Sequence, residues 1–250
     1  MSTLSPAARL YSQVRRNLLP RHERLVAVAG RWPHEQLTRL GVRPELTLRC
    51  GDIAYAGALD INERTLARIH PGLSAPALLS VVLLPTWTPA EVLRPDARLL
   101  LVADGIEYAG NLGTLVRTAD AAGADGLVLT NATCRLTHPK VFEASRSTVL
   151  TMPMLEYAAV AEARRDLVSA GFTTYVADPA AAIGYLDVDY GRDIGSKVAV
   201  VVGSEGDGVA AEWRTPDLTR VSIPMRGLAD SLNVATSASV LLFDARARLR

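Results

Sequence analysis

Cysteine is almost absent from the chain. Cys50 and Cys134 are the only two in 250 residues, and neither a CxxC pair nor a His/Cys ligand spacing occurs. So few cysteines exclude a disulfide-stapled secreted scaffold and a cysteine-rich zinc module. We therefore expect a reduced, cytoplasmic protein without a metal site.

Long apolar runs are missing as well. No apolar stretch approaches the roughly 20 residues needed to cross a bilayer, and the arginine-rich N-terminus lacks the apolar core of a signal peptide. The sequence therefore predicts no association with a membrane.

Aromatic residues and histidines are few. Aromatic side chains make up 5% of the chain, and the four histidines are scattered at positions 22, 34, 70 and 138. Neither a base-stacking platform nor a catalytic triad is indicated. We expect the histidines on the surface or in loops.

Lysine is also scarce, and the positive charge is carried by arginine at one end. The net charge is +1, yet residues 1–50 hold nine arginines against three glutamates, a balance of +6 that leaves −5 for the remainder. A basic end on a nearly neutral chain is typical of contact with a polyanion. An ordinary arginine-rich surface would give the same count.

The apolar pattern alternates between strands and helices. Strand-like runs lie at 25–29, 45–49, 78–84, 98–104, 126–130, 172–177, 197–203 and 221–224, and helical patterns at 5–19, 33–40, 62–69, 111–122, 139–147, 158–170 and 232–248. This order predicts an α/β fold with a mostly parallel sheet covered on both faces. The proline-rich stretch PTWTPAEVLRPDA predicts a boundary near residue 90, between domains 1–90 and 91–250.

Three predicted strands of the second domain end in unusual segments: DGIEYAGNLGTLVRTADAAG (104–123), GSEGDGV (203–209) and MRGLADSLNVATSASVLLF (225–243). Ligands of open α/β sheets bind at such carboxyl ends. The glycines fit neither GxGxxG nor GxxxxGK[ST], so a nucleotide-phosphate loop is not indicated. A buried-looking helix that carries Asn111 and Arg117 needs a reason, because an arginine without an anionic partner is costly to bury.

Together the three segments resemble, in order and spacing, the three motifs of the SpoU (TrmH-type) branch of the SPOUT RNA methyltransferases, over about residues 97–250. The resemblance implies a SPOUT domain with a deep trefoil knot, a bent S-adenosylmethionine as the methyl donor, a homodimer, and transfer to a ribose 2′-hydroxyl of RNA. The pattern of strands and helices alone does not predict a knot.

The resemblance also assigns residues. It implies these catalytic residues: Asn111, Arg117, Glu205, Ser231 and Asn233. It implies these cofactor-binding residues: Gly203, Ser204, Glu205, Ile223, Met225 and Leu232. Arg117 is expected either to stabilise the forming alkoxide or, with its pKa lowered by the sulfonium charge, to accept the proton.

RNA contacts are expected in two places. Residues 143–153 (EASRSTVLTMP) resemble the segment of thiostrepton-resistance methyltransferases in which an arginine holds the target nucleotide, here Arg146. Residues 1–90 resemble the small ribosomal-protein-like α/β domain of many members, and these arginines are expected to contact RNA phosphates: Arg15, Arg16, Arg21 and Arg24.

Three departures from the family pattern concern RNA contacts rather than methyl transfer. Ala29 stands before Gly30 where glutamate is usual, Ala109 replaces a proline, and Glu143 replaces an arginine.

The predicted function is therefore an S-adenosylmethionine-dependent RNA 2′-O-methyltransferase acting on 23S rRNA, as housekeeping or as antibiotic resistance. Transfer RNA is the alternative substrate. Two other classes stay open: an NAD-dependent oxidoreductase, disfavoured by the missing fingerprint, and a non-catalytic RNA-binding protein, disfavoured by the five intact polar residues.

Overall fold

The computed structural model describes residues 4–190, 195–204 and 206–249. The chain forms two compact units, one of residues 1–85 with 135–143, the other of residues 86–134 with 144–250. Among the described residues, no helix is long and apolar enough to span a membrane.

The first unit is a four-stranded sheet with three helices packed on it. Its elements, in chain order, are α1 (Pro6–Arg15), β1 (Leu25–Ala29), α2 (Arg31–Arg39), β2 (Leu46–Cys50), β3 (Leu59–Asp60), α3 (Glu63–Ile69) and β4 (Ala77–Leu83). The strand order is β1-β4-β2-β3. Buried side chains of α1 and α3, among them Tyr11 and Leu66, pack on Leu48 and Leu79 of the sheet.

The expectation of a mostly parallel sheet is wrong for this unit. β4 pairs antiparallel with both β1 and β2, and only the short β2–β3 pair is parallel. An alternation of strands and helices fits either arrangement. The direction of β4 depends on where the chain re-enters the sheet, which the local pattern does not encode.

A segment from the second half of the sequence completes the first unit. Arg135 donates from Nη1 to the carbonyl of Leu19 at 2.6 Å, and Thr137 donates to Asn17 Oδ1 at 3.3 Å. Phe142, 1% exposed, packs edge-on against Trp32. The sequence predicts one continuous boundary near residue 90, whereas 135–143 groups with the first unit.

The second unit is a six-stranded sheet with helices on both faces. Its elements are α4 (Pro89–Val92), β5 (Leu99–Asp104), α5 (Ala109–Ala121), β6 (Gly126–Thr130), α6 (Pro139–Ser145, only its end belonging here), β7 (Met154–Tyr157), α7 (Val160–Ser169), β8 (Thr173–Ala177), β9 (Val198–Val202), β10 (Thr219–Val221) and α8 (Val234–Arg248). The order is β10-β8-β9-β5-β6-β7 and every pair is parallel, as the sequence predicts for this half.

Burial on both faces explains the unbroken apolar runs of the central strands. Leu100 and Val102 of β5 pack with α7 and Trp213 on one face. Their neighbours Leu99 and Leu101, which point to the other face of the sheet, are also fully buried. α5 and α8 pack against each other and against β5. The carboxyl ends of β8, β9 and β5 thus lie side by side at one edge.

Candidate active site

The loop after β9 folds back tightly on itself. Ser204 and Gly208 exchange two backbone hydrogen bonds, with N···O distances of 3.0 and 3.1 Å. A Cβ on Gly203 would overlap the backbone of Gly208 and the amide of Val209. Gly208 has a φ of +67°, a conformation that favours glycine. Both glycines are therefore required for two stretches of backbone to meet here.

A cavity of about 300 Å³ opens beside this loop. Its wall comes from 177–179 after β8, 202–204 and 206–208 after β9, 221–225 around the end of β10, and 230–237 at the start of α8. Of the cofactor residues implied by the resemblance, these described ones line the cavity: Gly203, Ser204, Ile223, Met225 and Leu232. Glu205 lies outside the described residues.

The cavity wall is acidic. Asp178, Asp207 and Asp230 line it, and no lysine, arginine or histidine occurs among the described lining residues. Asp178 accepts from the amide of Ala180 at 2.9 Å and is paired with Arg220 at 3.1 Å. This charge favours a cationic ligand and is unfavourable for a pyrophosphate.

Sequence reasoning missed Asp178. The available signal was an acidic residue directly after a predicted strand, FTTYVA, in the position where α/β sheets place ligand contacts.

The first and third motifs meet where α5 and α8 begin. Asn233 is the N-cap of α8, and its Oδ1 accepts from the amide of Ala235 at 3.0 Å. Its Nδ2 donates to Oδ1 of Asn111, in the first turn of α5, at 3.2 Å. Farther along the two helices, the hydroxyls of Thr118 and Ser239 lie 3.4 Å apart. The structure thus brings Asn111 and Asn233 together.

Ser231 is near this pair but is not a helix cap. It is exposed, lines the cavity, and donates to Asp230 Oδ1 at 3.3 Å. The cap is Asn233 alone, so Ser231 is left to face the cavity.

Arg117 points elsewhere. It follows Asn111 by six residues, which places the two side chains about 120° apart around the helix axis. Arg117 is exposed, does not line the cavity, and forms no hydrogen bond or ion pair with another described residue. Arg117 is therefore not a costly buried charge, because its side chain is exposed.

The arginines expected to bind RNA lie on different units. Arg16 and Arg21 are exposed and Arg15 and Arg24 half-buried, all four at the end of α1 or in the connection to β1. Arg146 is exposed directly after α6, with a φ of +54°, and Ser147 follows with +72°.

The histidine expectation is wrong for His34, which is only 3% exposed. Its Nδ1 donates to the carbonyl of Gly30 at 2.7 Å, since a carbonyl can only accept, and its Nε2 therefore accepts from the hydroxyl of Ser80 at 2.8 Å. Burial lowers the pKa of His34, and the bond to Gly30 opposes that shift. Within the described part of the chain, no group of three His, Cys, Asp or Glu side chains could hold a metal ion.

Known proteins share both the sequence and the architecture. A 23S rRNA (guanosine-2′-O-)-methyltransferase of Ralstonia nicotianae is 34% identical over 148 residues, 59% of this chain and 57% of that protein. The chain spans about half the length of the curated relatives it matches, as in this case.

Solved structures match over nearly the whole chain. An AdoMet-bound rRNA methyltransferase of Sinorhizobium meliloti has a TM-score of 0.82 at 22% identity, covering 100% of this chain and 98% of that one, which shows a shared fold. An RNA 2′-O ribose methyltransferase has a TM-score of 0.77 at 28% identity, with 99% and 97% covered. The sequence profile of the SpoU rRNA Methylase family matches residues 98–243, more than half of the chain and all three motif segments, and the protein therefore belongs to that family.

Proposed function

We propose that the protein transfers a methyl group from S-adenosylmethionine to a ribose 2′-hydroxyl of ribosomal RNA. One observation carries the proposal: segments of the second and third motifs line one cavity, and Asn233, between two lining residues, is bonded to Asn111 of the first motif. The names of the matched relatives and structures agree with this reaction.

The cavity suits this cofactor. S-adenosylmethionine has two positive groups, its sulfonium and its ammonium, against one carboxylate, so the acidic wall favours it electrostatically. The apolar side chains of Val202, Ile223 and Leu232 offer a surface for the adenine, and 300 Å³ is within the range of small-molecule sites. NAD, with a pyrophosphate, would meet Asp207 and Asp230 beside the Arg220-paired Asp178, with no cation among the described lining residues. We also propose that the chain around the cavity is knotted as in the resembled family, which the match to the SpoU rRNA Methylase family supports.

When bound, the cofactor supplies an electrophilic methyl group and leaves as a neutral thioether. The protein must position the ribose and assist the removal of the proton from the ribose 2′-hydroxyl. We assign the positioning of ribose or phosphate oxygens to Ser231, Asn111 and Asn233. Arg117 either stabilises the developing alkoxide as a cation, with the 2′-hydroxyl proton passing to water, or accepts that proton itself from a deprotonated state. Correct alignment alone contributes several kcal/mol to such a reaction.

Substrate capture is assigned to the first unit. Its residues include thirteen lysines and arginines against seven aspartates and glutamates, a balance of +6 that leaves −5 for the second unit. Such a surface binds phosphates without regard to sequence. Ribosomal rather than transfer RNA is supported by the 23S rRNA names of some relatives, while others are named for both RNAs, and by the resistance-like segment around Arg146. A homodimer, with Arg117 acting on the partner's cofactor, completes the proposal.

Two measurements test this function. Calorimetric titration should show S-adenosylmethionine binding and no NAD binding; the reverse would favour the oxidoreductase. Mapping of 2′-O-methyl groups in ribosomal RNA from cells with and without the protein should then reveal one lost site. Cofactor binding with no methylated site in ribosomal or transfer RNA would instead indicate a non-catalytic RNA-binding protein.

A further inference from the structure

Asp104, the last residue of β5, is a buried carboxylate with three hydrogen-bond donors. It is 2% exposed. Its Oδ1 accepts from Thr130 Oγ1 at 2.7 Å and from Asn131 Nδ2 at 2.8 Å, and its Oδ2 accepts from the amide of Ala210 at 2.6 Å. No salt bridge joins it to a cation among the described residues. Burial of such a charge is costly unless its oxygens accept hydrogen bonds. The three donors therefore both compensate the burial of Asp104 and fix the position of its side chain.

The two carboxylate oxygens serve different parts of the molecule. Oδ1 holds the end of β6, the neighbour of β5 on one side. Oδ2 reaches to the other side, where Ala210 follows the loop 203–209 that lines the cavity. At its start this loop is held by β9 and by the Ser204–Gly208 bonds. At its far end two side chains hold it: Asp104 accepts from the amide of Ala210, just before the buried Trp213, and Arg214 donates to the carbonyl of Asp207 at 2.7 Å.

We propose that Asp104 is a positioning residue, which holds the cofactor loop in its binding shape through the amide of Ala210. The inference rests on the proposed function, because it takes the loop as a wall of the S-adenosylmethionine site. A loop that is ordered before binding loses less conformational entropy on binding, so the anchor strengthens affinity without touching the cofactor. Asp104 does not line the cavity.

The geometry offers two ways to break this bond and one matched control. Asp104→Ala removes the acceptor. Ala210→Pro removes the donor at a φ of −58° that proline adopts, and its ring carbon, which takes the place of the N–H, also displaces the carboxylate of Asp104. The control Thr130→Val removes a donor from Oδ1 and leaves the bond to Ala210 in place. Thr130 is fully buried, so this control also costs stability.

Two readouts separate positioning from general destabilisation. Calorimetric S-adenosylmethionine affinity should fall by about tenfold or more in Asp104→Ala and in Ala210→Pro, and be unchanged in Thr130→Val. The double variant should bind no more weakly than Ala210→Pro alone, because both changes remove the same bond and Asp104→Ala also removes the carboxylate that the proline ring would meet. Hydrogen exchange of the cofactor-free protein should be faster at the amides of Ser204 and Gly208 in the two bond-breaking variants only. At saturating cofactor, kcat should be close to that of the wild type.

If Asp104→Ala does not fold, Ala210→Pro tests the same bond from the side of the donor. If Thr130→Val lowers the S-adenosylmethionine affinity as much as the bond-breaking variants do, Asp104 has only a general structural role. That result would overturn the inference. So would unchanged affinity in a folded Ala210→Pro protein. A wild-type protein that binds no S-adenosylmethionine would overturn the proposed function first, and this inference with it.

Discussion

Asn233 donates a hydrogen bond from Nδ2 to Oδ1 of Asn111 at 3.2 Å, although 122 positions separate the two residues. The bond has a direction, because Oδ1 of Asn233 is already engaged with the amide of Ala235 as the cap of α8. The helix cap therefore sets the orientation of one asparagine, and that asparagine orients the next. This relationship leads to the first prediction.

Asn233→Asp distinguishes the two hydrogen bonds of Asn233, because it keeps the helix-capping bond and removes the bond donated to Asn111. Aspartate caps a helix as well as asparagine does, but it cannot donate to Asn111. We expect an unchanged melting temperature and a loss of about tenfold or more in methyl transfer at saturating cofactor. Asn233→Ala removes both bonds and should in addition lower the stability by about 1 kcal/mol. Thermal unfolding and initial rates of the two variants check this; full activity of Asn233→Asp would show that the donor on residue 233 is dispensable, since Asn111 can turn its own amide and donate in the opposite direction.

His34 leads to a prediction about pH. In the unfolded chain this histidine titrates near 6.5, while burial lowers its pKa in the folded protein. Between these two values the unfolded state binds more protons, so the stability present above pH 6.5 is lost as the pH falls below it.

Urea unfolding on either side of pH 6.5 measures this effect. His34→Gln should flatten the pH dependence of the free energy of unfolding, although part will persist because burial also lowers the pKa of His70 and His138. His22→Gln is the matched control, since the side chain of His22 is 80% exposed. An equal change of slope in both variants would contradict the assignment to His34.

Much of the second unit was predictable because its strands are buried on both faces. Continuous apolar runs such as RLLLVAD and KVAVVVG then mark strands within one residue of their observed ends. β7 was missed: with two buried residues followed by an exposed Glu156 and a half-buried Tyr157, its short apolar pattern is too weak. The packing of residues 135–143 with the first unit could not be predicted from the sequence. It depends on contacts such as that of Phe142 with Trp32, which are 110 positions apart.

The strand ends predicted where a ligand would bind, but the catalytic and cofactor-binding residues were accessible only through the resemblance. No local pattern joins Asn111 to Asn233, since their contact exists only when α5 and α8 pack side by side. The anchor at Asp104 was not predicted for the same reason: its three donors come from the end of β6 and from Ala210, which lies eight residues after β9. Sequence spacing specifies neighbours along a helix, not the meeting of strand ends.

RNA capture by the first unit predicts a position-specific salt effect. Arg16→Gln with Arg21→Gln removes two exposed charges at the end of α1 and beyond it. If both contact phosphates, the slope of log affinity against log salt should fall by about 0.7 to 0.9 for each. The control Arg39→Gln with Arg43→Gln removes the same charge from exposed positions at and after the end of α2.

The control pair shows whether RNA is bound by the arginines at the end of α1 or attracted by the net charge of the first unit. RNA affinity measured by filter binding over a range of salt concentrations should change slope in the first pair only, and S-adenosylmethionine affinity should change in neither. An equal change in both pairs would mean that net charge, not the α1 end, attracts RNA. An unchanged slope in the first pair would remove these arginines from the interface.

The last prediction concerns Arg117, which faces away from Asn111 and from the cavity of its own chain. In a homodimer this outward guanidinium is free to reach the cofactor of the partner, so each active site would draw on both protomers. Arg117→Ala and Asn233→Ala should each be nearly inactive, and Arg117→Ala should still bind S-adenosylmethionine.

When the two variants are refolded together in equal amounts, half of the dimers are mixed, and each mixed dimer holds one site with both residues intact. Two-fold symmetry then predicts recovery of roughly a quarter of wild-type activity. A site built within one chain predicts activity no higher than the two variants show alone, because neither protomer carries both residues. Native mass spectrometry must confirm the mixed dimers, and their presence without recovered activity would place Arg117 in the site of its own chain.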